Sequence, residues 1–147
     1  MKKTTTNNFN ALGTGDSAVQ RMIECYKAGE PITDEILADV PPKWIVRLAS
    51  IKYPELRFVW AGIAFRYESQ QHPVLAEYAD GVTAGNCLQA QDAAQADGAM
   101  IAYSAAWLAA DRHVEAIEVA YAAAYANDDA VWSEMADISV QYLLSSK

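Results

Sequence analysis

Leu56-Arg57-Phe58-Val59-Trp60-Ala61-Gly62-Ile63-Ala64-Phe65-Arg66-Tyr67 is the most apolar run of this 147-residue chain. Leu56, Val59, Trp60 and Ile63 recur at helical spacing along one face, while Phe58 and Phe65 stand on another. A helix apolar nearly all round is expected to be a central one, covered by neighbours on several sides. Gly62 costs about 1 kcal/mol relative to Ala inside a helix, so its expected use is the close approach of another helix.

Working outward from this run, Pro54 separates it from Trp44, Ile45, Leu48 and Ile51, a second amphipathic helix that Pro41-Pro42 opens. Thr33 suits the N-cap of a short helix, with Asp34 and Glu35 in the first turn where the dipole favours acids. Asp16 or Ser17 is expected to cap a helix through Val19, Met22, Ile23 and Tyr26, ended by Gly29-Glu30-Pro31. Residues 1–15 are polar, include Gly13-Thr14-Gly15, and read as a flexible tail before a single helical domain over 16–147.

Towards the carboxyl end, His72-Pro73 breaks the chain ahead of a short helix over Val74–Ala79, stopped by Asp80-Gly81. Thr83 then suits the cap of a helix through Cys87, Leu88 and Ala94, ending at Asp97-Gly98. Helix formers dominate from Ala99 to about Asn127 and from Asp128 to Leu144. No run alternates with a period of two and nothing reads as a hairpin of strands. The expected fold is all-α: a compact bundle of roughly six to eight helices with alanine-rich carboxyl-terminal helices.

Ile101-Ala102-Tyr103-Ser104-Ala105-Ala106-Trp107 and Val119-Ala120-Tyr121-Ala122-Ala123-Ala124-Tyr125 match at an offset of 18 residues, or about five helical turns. One continuous helix would project both on the same face. A break near Asp111 would make them equivalent helices of a hairpin, and coincidence in alanine-rich sequence gives the same match.

The charge is lopsided. Residues 68–147 hold twelve acids and two bases, Arg112 and Lys147, against nine bases and seven acids in residues 1–67. A formal charge of −8 and a pI near 4.6 argue against direct nucleic-acid binding, which needs a basic footprint. A one-signed surface steers an oppositely charged partner instead. Asp111, Glu115 and Glu118 are expected on one helical stripe, at i, i+4 and i+7. Like charges so placed cost a few tenths of a kcal/mol, a cost offset by exposure, by Arg112, or by use. Asp128, Asp129, Glu134 and Asp137 extend this surface, although Asp128 or Asp129 also suits a helix cap. Two bland readings compete with a binding face: simple solvation, and internal neutralisation by Arg47, Lys52, Arg57 and Arg66.

Catalytic and metal signatures are sparse. His113 has Ala116 and Ile117 where a helical ligand pair would need donors, and His72 precedes a proline, so both histidines are expected to face solvent. Gly13-Thr14-Gly15 lacks the Lys-Ser/Thr of a phosphate loop. Cys25 and Cys87 have no CxxC neighbour and read as buried free thiols of a reducing cytoplasm. Lys2-Lys3 is followed by no apolar segment of a signal peptide, and no stretch nears the roughly 20 apolar residues of a membrane span. No catalytic residue, metal or cofactor is expected, and a soluble cytoplasmic protein is.

The order of features also resembles a family. Trp44 to Tyr53, Pro54-Glu55-Leu56-Arg57-Phe58-Val59-Trp60-Ala61 and Glu77-Tyr78-Ala79-Asp80-Gly81 with Thr83 lead into alanine tracts with spaced Tyr and Trp. Trp132, Asp137-Ile138 and Leu143-Leu144 close the pattern. Over residues 44–144 this is similar to alanine-rich helical immunity proteins of bacteria and phages, and to small phage-type inhibitors. The final tract is poorer in Arg than is usual in such proteins. The resemblance assigns no role to any residue; it implies a class of small helical proteins that bind and neutralise others. Together with the charge, it leads to a non-enzymatic protein that inhibits a basic, nucleic-acid-handling partner. An anti-CRISPR or other anti-defence inhibitor of a nuclease or CRISPR effector fits, as does a toxin-immunity protein. The expected contact residues are Asp111, Glu115, Glu118, Asp128, Asp129 and Glu134, with no membrane involved. The alternative is a structural or self-associating module, a homodimer that hides Tyr103, Trp107, Tyr121 and Tyr125. An enzyme would need a polar pocket around His72 or His113.

Overall fold

The computed structural model describes residues 17–79 and 81–145, so the expectations for the 1–15 tail, Asp16 and Asp80 fall outside the described residues. The helices in order are α1 Ser17–Lys27, α2 Asp34–Leu37, α3 Pro42–Lys52, α4 Leu56–Glu68, a 3₁₀ helix Pro73–Tyr78, α5 Cys87–Asp97, α6 Met100–Ala110, α7 Ala116–Ala124 and α8 Asp128–Ser145. No strand occurs among the described residues, and the fold is an all-α bundle.

Sequence signals set several of these boundaries. Thr33 Oγ1 accepts the Ile36 amide at 3.3 Å to start α2, and Pro42 occupies the opening turn of α3. Gly98, at φ 74°, sits in the left-handed region that only glycine enters freely, and its N–H closes the end of α5.

The most apolar run forms the centre. α4 packs against α6, α7 and the 3₁₀ helix, and more lightly on α3, while α3 lies chiefly against α8 and α7. Leu56, Trp60 and Phe65 are wholly buried. The Trp60 indole donates to Ser50 Oγ at 3.0 Å, which satisfies the polar tip of the largest core side chain. Around α4, alanine fills the contacts: Ala102, Ala105, Ala106 and Ala109 of α6 and Ala116, Ala120 and Ala123 of α7 are buried. Small side chains let these axes approach closely.

Of the two readings of the 18-residue repeat the hairpin holds: α6 stops at Ala110 and α7 begins at Ala116, so the break falls near Asp111 and the repeated motifs lie on adjacent helices that pack together. Two other expectations need correction. Thr83 does not start α5 directly. Its hydroxyl accepts the Asn86 N–H at 3.2 Å and Asn86 Oδ1 accepts the Thr83 N–H at 2.7 Å, a closed turn that ends where α5 begins at Cys87. At Gly62 the near neighbour is the Val82 backbone, not a helix, and a β-carbon there would lie 3.7 Å from Val82 N, an ordinary contact.

Candidate functional site

The six candidate carboxylates fall into separate groups, because the helix expected to align three of them is broken. Asp111 caps the end of α6, and its Oδ1 accepts the His113 N–H at 2.9 Å. Glu115 is the N-cap of α7. Its side chain accepts the Glu118 amide while Glu118 Oε2 accepts the Glu115 N–H at 3.3 Å, a reciprocal capping box. The i, i+4, i+7 stripe is therefore corrected to a turn with two caps, and the like-charge cost is offset by orphan amides and the α7 dipole. Asp128 and Asp129 lie beyond the other end of α7, in the first turn of α8. The nine residues of α7 rise about 13 Å, which sets the separation of the two groups.

Burial and pairing sort these acids further. Asp111, Glu115, Glu118, Asp128 and Asp129 are exposed, and none meets a cation in an ion pair among the described residues. Glu134 differs: half-buried, it pairs with Arg66 and accepts from the Tyr67 hydroxyl at 3.4 Å.

The cations of the central helices are spent largely on neutral groups. Arg47 donates to the Tyr121 hydroxyl at 3.3 Å and lies against the Trp44 ring. Lys52 lies 5.8 Å from the Tyr53 ring centre. Arg57 holds backbone carbonyls: Pro54 O at 3.2 Å, Ala109 O at 3.4 Å, Asp111 O at 2.9 Å, and Val114 O. One guanidinium thus gathers the end of α6 and the turn into α7. Nothing in the Arg57 sequence context announces this, since three of its four carbonyl partners lie more than fifty residues away.

Beside Asp128 the structure adds a feature that sequence reasoning missed. Lys43, Tyr121, Ala124, Tyr125, Asp128 and Trp132 line a hollow of about 320 Å³. Tyr121 meets Trp132 edge to face with centroids 5.0 Å apart, and Lys43 lies 5.4 Å from the Trp132 ring centre. Tyr125 is 81% exposed, so one aromatic face stands open next to an unpaired carboxylate. The only sequence trace was the aromatic spacing within an alanine background.

The remaining chemistry is modest. His72 does not simply face solvent: its Nδ1 lies 2.7 Å from Asp97 Oδ2, tying the loop before the 3₁₀ helix to the end of α5. His113 is exposed. No three His, Cys, Asp or Glu side chains converge as a metal would require, among the described residues. Cys25 and Cys87 are free and buried, with Sγ 3.3 Å from Pro31 O and 3.2 Å from Ala106 O respectively. Burial pushes both thiols up. At Cys25, Glu30 adds to the rise and Arg21 opposes it, so neither sulfur is activated as a nucleophile. No helix is long and apolar enough to cross a membrane among the described residues.

Comparison of the chain with protein-family models, with curated proteins and with solved structures finds no match.

Proposed function

We propose that this chain is a non-enzymatic interaction protein whose acidic carboxyl-terminal part docks on a basic protein partner. The carrying observation is that five of the six candidate carboxylates are exposed and unpaired, while Arg47 and Arg57 satisfy a phenol and backbone carbonyls. Internal neutralisation, the main rival explanation of the lopsided charge, is limited to Arg66 with Glu134 among these acids. The best-equipped patch is Asp128 and Asp129 with the neighbouring hollow. An arginine or lysine of a partner placed there gains the Tyr125 face as well as the carboxylates, and aromatic surface beside charge is the usual make-up of a binding hot spot. Glu115 and Glu118 add to the field but are already engaged as caps.

A basic partner of a cytoplasmic defence or toxin system, such as a nuclease or CRISPR effector, carries the complementary charge. Covering its nucleic-acid channel would inhibit it, the role expected of an anti-CRISPR or immunity protein of phage or mobile-element origin. The test is capture from host lysate at low and high ionic strength with the wild type and the D128K/D129K variant, followed by nucleic-acid binding by the captured protein. The expected result is retention of a basic protein at low salt only, loss of that retention in the variant, and blocked nucleic-acid binding in the complex. Retention indifferent to both salt and charge reversal refutes the reading.

One observation favours the alternative of self-association. Leu88 and Trp107 are 67% and 54% exposed, and the Cys87–Ala106 contact places the start of α5 beside the end of α6. Trp107 lies in the last turn of α6 and Tyr125 just beyond the end of α7, so the two exposed rings stand on different helices. A stable dimer by sedimentation, dissociated by W107A, would support the alternative.

A further inference from the structure

One hollow of the molecule differs chemically from its acidic surface. A cleft of about 460 Å³ opens between Tyr26 of α1, Ser50 and Ile51 of α3, and the turn from Arg112 to Ile117. Ser50 is 4% exposed and accepts the Trp60 N–H, which leaves its own O–H as a donor without an acceptor among the described residues. Arg57 lines the same cleft, and its hydrogen bonds go to neutral carbonyls and not to a carboxylate. Arg112, the one arginine of residues 68–147, stands exposed at the rim with no hydrogen bond or ion pair among the described residues. His113 lies next to it. The single carboxylate of the lining, Glu115, is occupied as the cap of α7. Between these groups Ile51, Val114 and Ile117 supply an apolar wall.

We infer that this cleft binds a small organic carboxylate with an aromatic or short alkyl body. Two guanidiniums face one carboxylate in the lining, and that carboxylate is turned to the amides of α7, so the cleft favours a ligand that brings acceptors, and the planar fork of Arg112 matches a carboxylate. The volume lies in the range of small-molecule sites, and the apolar wall leaves a bare ion without contacts over most of it. The chain's overall charge of −8 repels any anion at long range. Anion binding should therefore hold or strengthen as salt is added, opposite to the docking of a basic partner, and the two readings stand or fall separately.

The experiment is titration of the ¹⁵N-labelled full chain with benzoate, hexanoate, benzamide and inorganic phosphate, with wild type and R112Q compared. Arg112 is exposed, so the variant is expected to fold as the wild type does. Benzoate or hexanoate should shift the amides of Ser50 and of residues 112–117, with half-saturation at about 1 mM or below. R112Q should weaken this roughly tenfold, and benzamide should bind roughly tenfold more weakly than benzoate. Equal binding of benzoate and benzamide would overturn the inference in favour of a merely apolar hole. Phosphate acting as strongly as benzoate overturns it in favour of a bare anion site. No shift from either carboxylate up to about 10 mM overturns it outright.

Discussion

Removing the Arg57 guanidinium isolates the contribution of one side chain to the turn on which both the acidic caps and the cleft depend. In R57A, Ala109 O, Asp111 O and Val114 O lose the guanidinium together, although Asp111 O keeps the Val114 N–H at 2.9 Å. A hydrogen bond from a charged donor is worth about 1.5–3 kcal/mol net when buried. The Asp111 contact is exposed, so water replaces much of it, and the Ala109 contact at 3.4 Å is long. The Val114 contact and part of the Ala109 contact remain to be lost, both half-buried. The expected destabilisation is about 2–4 kcal/mol, a large share of the roughly 5–15 kcal/mol typical of a domain. In urea, at about 2 kcal/mol/M for the slope, the midpoint read by tryptophan fluorescence should fall by about 1–2 M. R57K keeps the charge but brings its donors to a single nitrogen that cannot reach several carbonyls at once, so it should recover less than half. Hydrogen exchange should localise the damage to residues 111–118 before α8 is affected. A midpoint change worth under about 0.5 kcal/mol, or full rescue by R57K, would refute the clamp.

Further expectations concern the core and its titration. S50A strands the buried Trp60 N–H and should cost about 1–3 kcal/mol by thermal denaturation. The same change in a W60F background should cost less, and equal costs would show that the 3.0 Å bond carries no weight. The two glycines should respond with opposite signs. G62A gains up to about 1 kcal/mol of helix propensity with ordinary contact at Val82, while G98A loses about 1 kcal/mol or more because φ 74° strains any β-carbon. Alkaline solution should weaken the fold, since the Cys25 and Cys87 thiols are raised above their ordinary 9.0 and stay neutral when folded. Their contribution is complete below pH 9.0 and is lost as pH rises through the folded values, by at most about 1.4 kcal/mol per pH unit for each. C87A should flatten that decline in denaturation midpoints measured across pH; an unchanged slope would argue against it.

The fold class, the central helix, the caps at Thr33 and Gly98 and the opening of α3 at Pro42 were legible because each rests on local chemistry: periodicity, a side-chain acceptor, a missing β-carbon and a fixed φ. The break between α6 and α7 was legible only in part: an interruption near Asp111 was one of two readings of the repeat, while the acidic stripe assumed the other. Asp111-Arg112-His113-Val114-Glu115 contains neither glycine nor proline, and alanine on both sides favours continuation. Its one signal was Glu115 three residues before Glu118, a box in which glutamate takes the place usually held by serine or threonine. The acidic residues themselves were legible; their grouping was not, because it follows from that break. Arg57 and the Tyr125 hollow depend on contacts distant in sequence, which local pattern does not encode.

The alanine layer between α6 and α7 has a consequence for how this protein can change over generations. Positions such as Ala105, Ala106, Ala120 and Ala123 are fully buried, so a larger residue there must displace packed neighbours, at about 1–3 kcal/mol. The surface acids and loop residues bear no such constraint and can drift. A lineage of this design would preserve its commonest letter and discard its distinctive ones, so that descent would be written in the spacing between helices and hardly at all in motifs.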